Sequence, residues 1–208
     1  MVVPKKRNPE KTARDILGAA TVEFSANGFG SARIDVIADR AKSNKRMIYH
    51  YYGSKDDLFL AVLENSYTKI RQREAELNLE NLLPIDAIKK LIQFTYAYFV
   101  ENPEFIQLLN SENLFGAAHL KQSKKILKMH SPLVSKLAFV LKEGAKTGVF
   151  RKKVTAIDLY ISIAALGYFY LSNSSTLGAI FNKDLKSKKE INSRGRHIED
   201  VVLGYLRP

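Results

Sequence analysis

The chain has no cysteine. That absence excludes disulfide scaffolds, iron–sulfur clusters, thiol catalysis and cysteine-based zinc sites, and it is compatible with a reducing compartment. Histidine is scarce too: His50, His119, His130 and His197 are the only ones, and no two stand three or four residues apart, so neither a histidine-rich metal site nor a cofactor is expected. Long apolar runs are missing. The longest, LYISIAALGYFYL at 159–171, is flanked by Asp158 and Asn173 and falls short of the ~20 residues that span a bilayer. It reads as a buried helix, and no membrane partner is expected from it. The opening MVVPKKRNPEKTARDIL carries charge where a signal peptide needs an apolar stretch, so the expected location is cytoplasmic. No GxSxG, P-loop, GxGxxG or metal-ligand cluster occurs, and the chain is not expected to be an enzyme. Acidic side chains are in deficit: 21 against 33 Lys and Arg give +12 over 208 residues. Such an excess points to an anionic partner, nucleic acid first and an anionic membrane surface second.

Prolines are few, at 4, 9, 84, 103, 132 and 208. The stretches between them carry apolar residues at helical spacing with almost no strand-like alternation, which predicts an all-α fold. Ala13, Ile16, Leu17, Ala20 and Phe24 define a first helix, with Thr12 as its cap and Asn27-Gly28 as its end. Ile34, Ile37, Ala38 and Ala41 define a second, and Lys45–Tyr51 a third. Ser54-Lys55-Asp56-Asp57 is a capping box with Asp at its last position. It opens a long helix to about Leu77. After a connection at 78–84, helices are expected near 85–101, 104–114, 117–129, 132–147, 155–178 and 196–206. Pro103 and Pro132 are taken as helix starts. The charged stretch 182–195 has no periodicity and is expected to be a mobile loop.

Three short helices and a tight turn within the first part of the chain make a helix-turn-helix. An α-helix fits the major groove of B-DNA, and a preceding helix must hold it there. The second helix offers an apolar face, and Ile48 and Tyr52 of the third meet the same core. Lys45, Arg46, Tyr49 and His50 are left on the outer side. The stretches ILGAATVEFSANGFG (16–30), RIDVIADRAKSNKRMIYHYYGSKDDLFLAVLE (33–64) and above all MIYHYYGSKDDLF (47–59) resemble the DNA-binding domain of the tetracycline-repressor (TetR) family of bacterial transcription regulators. The chain departs from that family in the turn, where Gly-Val-Ser is replaced by Lys42-Ser43-Asn44. The usual Thr near the second helix is Ala32, with Ser31 one step earlier. Without the glycine, a left-handed backbone in the turn is costlier. The C-terminal stretches ENPEFIQLLNSENLFGAAHL (101–120) and DLYISIAALGYFYLSNSSTLGAIF (158–181) are similar to a subgroup that includes pyrimidine-responsive regulators, and no ligand is carried over from it.

The resemblance implies a helix-turn-helix DNA-binding domain at 1–60, its first eleven residues a basic arm (Lys5, Lys6, Arg7, Lys11, then Arg14). A helical ligand-binding and dimerisation domain would follow at 61–208. It implies that Lys45, Arg46 and Tyr49 face base edges, and that His50, Tyr51, Lys55, Ser31 and Arg33 reach phosphates. Arg and Lys suit guanine O6 and N7, and an aromatic edge suits a thymine methyl. It further implies a homodimer on a palindromic double-stranded DNA operator, acting as a repressor on the bacterial nucleoid and released by a small-molecule effector. Tyr96, Tyr98, Asn110, Asn113, His119, Tyr160 and Asn173 interrupt apolar helices. As polar groups in an apolar setting, they are the candidates for an effector pocket; all but Tyr98 form the core of that set. The basic excess sits elsewhere: residues 117–153 hold ten basic side chains against one acidic. An alternative reading as a membrane-surface or scaffold protein rests on that region, on Lys121, Lys124, Lys125 and Lys128.

Overall fold

The computed structural model describes residues 8–208, apart from the side chains of Leu127, His130 and Ser131. Lys5, Lys6 and Arg7 of the expected basic arm lie outside the described residues. The described residues form ten α-helices and two single turns of 3-10 helix, without strands. The helices are α1 (Pro9–Ser31), α2 (Ile34–Arg40), α3 (Lys45–Tyr52), α4 (Lys55–Ala75), α5 (Pro84–Glu101), α6 (Pro103–Leu114), α7 (Lys124–Lys146), α8 (Ala156–Ser172), α9 (Ser174–Phe181) and α10 (Lys188–Leu206).

The chain groups into two compact units that are not contiguous in sequence. The first runs to Tyr67 and takes in Gln107–Ile126; the second is Thr68–Ile106 with Leu127–Pro208. The core of the first is Ile16, Ala20, Phe24, Ile37, Ile48, Leu58, Phe59 and Val62, joined by Leu108 from the returning segment. Around it, Phe29 meets Phe59 and Phe115, each with ring centroids 5.1 Å apart. The second unit has its own core, with Ile88, Leu91 and Ile92 of α5, Leu137 and Val140 of α7, Leu159 and Ile163 of α8 and Ile198 and Val202 of α10. Those positions lie three or four residues apart on each helix, so each helix turns one stripe inward.

Side chains set the helix ends. Asn8, and not Thr12, caps α1: its Oδ1 accepts from the N–H of Glu10 at 3.0 Å, while the Thr12 hydroxyl donates to Asn8 O within the helix. Asparagine ahead of a proline at the first helical turn gives both the acceptor and the pre-set φ. The helical backbone of α1 breaks where Asn27-Gly28 predicts, with Gly28 at φ 68°, ψ 168°. That combination is open to glycine and almost nothing else. The capping box at 54–57 forms: the Asp57 N–H donates to Ser54 Oγ at 3.0 Å, and the Ser54 hydroxyl donates to the Asp57 carboxylate at 2.6 Å. Pro103 opens α6 as expected.

Three boundaries differ from the periodicity. Pro132 does not start a helix; it lies inside α7, which begins at Lys124. Ser123 starts that helix instead, its Oγ accepting from the N–H of Ile126 at 3.1 Å. The proline removes one backbone donor from α7, a cost the longer helix carries. The expected helix 155–178 is divided at Asn173. There Asn173 caps α8, its side-chain amide donating to Phe169 O, and the Ser174 hydroxyl donates to Leu171 O, both at 2.9 Å. The loop expected at 182–195 is helical from Lys188 onward, capped by Ser187, whose Oγ accepts the Glu190 N–H. Arg194, one of the charged residues that masked the pattern, donates to Leu166 O at 2.8 Å and lies 5.1 Å from the Tyr170 ring centroid.

Candidate nucleic-acid interface

The first unit carries a tri-helical reading head. Tyr52 is tied to α1 by its hydroxyl, which donates to Ala13 O at 2.8 Å, and Ile48 is fully buried beside it. These two positions are one helical turn apart, so they fix which side of α3 faces inward. Lys45, Arg46, Tyr49 and His50 are all exposed, with Tyr49 at 46%. The N-terminus of α3 is closed by Asn44, whose Oδ1 accepts from the Met47 N–H at 3.0 Å. Its C-terminus ends at Gly53, φ 80°, where a Cβ would stand 2.9 Å from Asp57 Oδ2. Lys42 takes up the left-handed backbone of the turn, at φ 48°. The lysine that replaces the family's glycine therefore sits in the conformation the glycine is there to supply.

The outer face carries its own electrostatic organisation. Asp35 on α2 pairs with Lys45 and lies 3.9 Å from Arg33, joining a base-edge candidate to a phosphate candidate. Arg33 and Lys45 are exposed and Asp35 is half-buried, so the pairings orient more than they stabilise. Arg33 is also the N-cap of α2, where its backbone N–H donates to the carboxylate of the buried Glu23 at 3.2 Å. Ser31 is exposed one turn away. Tyr51 is half-buried and edge-on to His50, ring centroids 5.2 Å apart. Lys55, the first residue of α4, reaches Gly30 O at 3.4 Å and lies over the Phe29 ring.

The six effector-pocket candidates divide between the units. Asn110, Asn113 and His119 belong to the first, Tyr96, Tyr160 and Asn173 to the second. His119 is buried among Phe29, Phe59 and Phe115, and its Nδ1 lies 2.7 Å from Glu112 Oε2. Glu112 also accepts the backbone N–H groups of His119 and Leu120, both at 2.9 Å. Asn173 is occupied in capping. Tyr160 binds Arg71, whose Nη2 donates to its hydroxyl at 2.6 Å, and burial raises the phenol above its ordinary range. Tyr96 is buried with no partner for its hydroxyl, which burial pushes up to about 12. Tyr98 is buried on the same helix. The lysines at 121, 124, 125 and 128 are all exposed.

Glu23, Glu112, Arg71 and Glu74 were not singled out from the sequence. Glu74 had a signal: it continues the buried stripe Phe59, Leu63, Ser66, Ile70 of α4, where an apolar residue would be expected.

A short helix with a cationic and aromatic outer face, seated on two others through Ile48 and Tyr52, defines a helix-turn-helix DNA-binding protein. The comparisons specify which kind. The chain belongs to the TetR family: the profile for bacterial regulatory proteins of the tetR family matches residues 16–62, and that for tetracyclin repressor-like C-terminal domains matches 84–202. It is 37% identical over 203 residues to the HTH-type transcriptional repressor NicS of Pseudomonas putida, covering 98% of this chain and 96% of that one. It is 25% identical to the HTH-type transcriptional regulator RutR of Escherichia coli, over 93% and 89% of the two chains. In fold it is similar to the transcriptional regulator SCO4942 of Streptomyces coelicolor (TM-score 0.70, 21% identity, 95% and 99% covered). It is likewise similar to the ketosteroid transcriptional regulator KstR2 of Mycobacterium tuberculosis (TM-score 0.68, 16% identity, 100% and 97% covered). The protein is thus a DNA-binding transcriptional regulator of a ligand-responsive family. Among the described residues, no helix is long and apolar enough to cross a membrane.

Proposed function

We propose that the protein is a repressor that binds a palindromic operator as a homodimer in the bacterial cytoplasm, at the nucleoid, and leaves it when a small effector binds. The observation that carries this reading is the outward row Lys45, Arg46, Tyr49 on a helix whose opposite side is locked by Ile48 and Tyr52. Lys45 and Arg46 read guanine edges and Tyr49 a thymine methyl. His50, Tyr51, Lys55, Ser31 and Arg33 fix the register through phosphates, with Lys55 at a helix N-terminus adding the pull of free amides on an anion. Replacing Lys45 and Arg46 with Ala is expected to weaken operator binding about hundredfold or more, since each good base contact is worth roughly 1–3 kcal/mol. Circular dichroism and sedimentation should stay unchanged. Unchanged operator affinity in a mobility-shift titration would remove these residues from the interface.

The dimer rests on the second unit. Its α8 is apolar nearly all round, yet Ile157, Ile161 and Phe169 are more than half exposed in the single chain, and Val201 and Tyr205 of α10 are exposed as well. A helix of this composition requires cover on that side. A two-fold pairing through α8 and α10 would set two recognition helices roughly 34–36 Å apart, one turn of DNA. Phe169→Asp is expected to give a folded monomer in sedimentation, with operator affinity lost because only one half-site is held. For the effector, the second unit's Tyr96 and Tyr160 are the candidates with buried hydroxyls. Effector and operator then oppose one another through a reciprocal coupling free energy.

A further inference from the structure

In the second unit, α4 and α7 enclose a groove of ≈ 450 Å³. Thr68, Arg71 and Glu74 line one side, and Lys128, Met129 and Leu133 the other. Arg71 and Glu74 are both more than nine-tenths buried. They pair with each other through Nη1 and Oε2, and Arg71 Nη2 is taken by Tyr160. Two atoms are left over: Arg71 Nε and Glu74 Oε1 are buried and make no hydrogen bond. Charged groups out of water keep their bonds filled, and a pair with a spare donor and a spare acceptor is set for a third party.

The charge around the groove decides what that party is. Lys128 adds a cation on the rim, while Lys136 is already matched by Glu80 at 2.8 Å. The other polar lining residues, Thr68 and Gln72, are neutral. We infer that the groove is the effector site and that it takes a small organic acid, whose carboxylate accepts from Arg71 Nε beside the Lys128 cation while its apolar body lies on Met129 and Leu133. This rests on the reading of the protein as an effector-released operator binder, and it deepens that reading by naming the chemical class. Burial pushes the Glu74 carboxyl up to about 7, against the pull of Arg71. Near neutral pH, Glu74 therefore gives up its role as counter-ion by taking a proton, and the ligand carboxylate replaces it. The charged and titratable groups around Glu74 are Arg71 on its own helix, Tyr98 from α5, Tyr160 from α8, and Lys128 and Lys136 from α7. An anion adds to what already disfavours ionised Glu74, so binding takes up a proton and weakens as pH rises past about 7.

Calorimetric titration of the full chain with acetate, hexanoate and benzoate, each against its primary amide, tests the inference. At least one acid is expected to bind roughly tenfold or more tighter than its amide. Its heat at pH 7 should depend on the buffer, which reports the proton. Arg71→Gln should weaken that acid roughly tenfold or more; Glu74→Gln should retain binding but lose the buffer dependence. If Arg71→Gln does not fold by circular dichroism, Arg71→Lys takes its place, keeping the charge but losing the fork. No acid binding at millimolar concentration, equal binding of acid and amide, or an Arg71 variant with unchanged affinity would each overturn the site. An operator mobility shift on the same samples separates the two readings. Operator binding without acid binding sinks the acid site alone; a wild-type protein that binds no operator sinks the parent reading.

Discussion

Buried polar groups are treated differently in the two units. In the first, Glu23, Ser111, Glu112 and His119 are all buried and all bonded: Ser111 Oγ accepts the Phe29 N–H at 2.9 Å, and Glu112 holds two backbone amides and a histidine ring. Among the described residues only Ser43 Oγ stands without a partner there, whereas in the second unit Arg71, Glu74, Thr95 and Tyr96 each keep an unbonded buried atom. In the second unit, α8 also leaves Ile157, Ile161 and Phe169 in the open. A unit whose internal bonds are closed holds its recognition helix in one place. A unit with open bonds and an uncovered apolar face is one that other molecules complete.

The largest blow to that contrast would fall on Glu112. Glu112→Ala leaves two N–H groups and a buried imidazole without their acceptor, and at roughly 1–3 kcal/mol for each unsatisfied group is expected to cost about 3–5 kcal/mol. Urea unfolding followed by the first unit's tyrosines should show it, and a cost below about 1 kcal/mol would mean that the unit does not depend on its closed bonds. The second unit offers a test of its own through pH. The Glu74 carboxyl is raised from 4.5 to about 7, so between those values the folded chain holds a proton that the unfolded chain releases. The contribution is fully present below about 4.5 and is lost as pH rises through 7. At 1.4 kcal/mol per unit, wild-type stability should fall by about 3 kcal/mol more than that of Glu74→Gln between pH 4.5 and 8. Parallel slopes for the two proteins would show that Glu74 titrates as an ordinary carboxylate. A smaller effect is expected in the turn of the reading head. Lys42→Gly relieves a side chain at φ 48° and should raise stability by up to about 1 kcal/mol, with operator affinity unchanged. A loss of stability would mean that the lysine's contacts outweigh its backbone cost.

What the sequence made legible was local. Ser54 and Asp57 are three residues apart, Ile48 and Tyr52 four, and Asn27-Gly28 adjoin; each of these relations is complete within one or two helical turns. So the reading head and its outward Lys45, Arg46, Tyr49 row could be laid out from the letters. The bonds of Glu112 depend on the chain folding back at Gly116 and Ala117, both at positive φ, and no spacing rule reports that. Arg71 and Glu74, one turn apart on a helix, have the spacing of an ordinary solvated ion pair; only the place of Glu74 on the inward stripe of α4 hints otherwise, and nothing in the letters marks Arg71. Asn173 and Pro132 show the remaining limit. An asparagine divides a helix expected to be continuous, and a proline expected to open a helix is absorbed within α7.

The return of Gln107–Ile126 to the first unit bears on how such proteins can be recombined. A reading head cut out at Tyr67 would leave behind Leu108, Ser111, Glu112, Phe115 and His119, so that Phe29 would lose the rings of Phe115 and His119, Phe59 that of His119, and the Phe29 amide its acceptor. Exchange of operator specificity between related chains would therefore have to transfer two separate stretches together, or confine itself to the outward residues of α3. The second route changes what is read and leaves the reader's architecture intact.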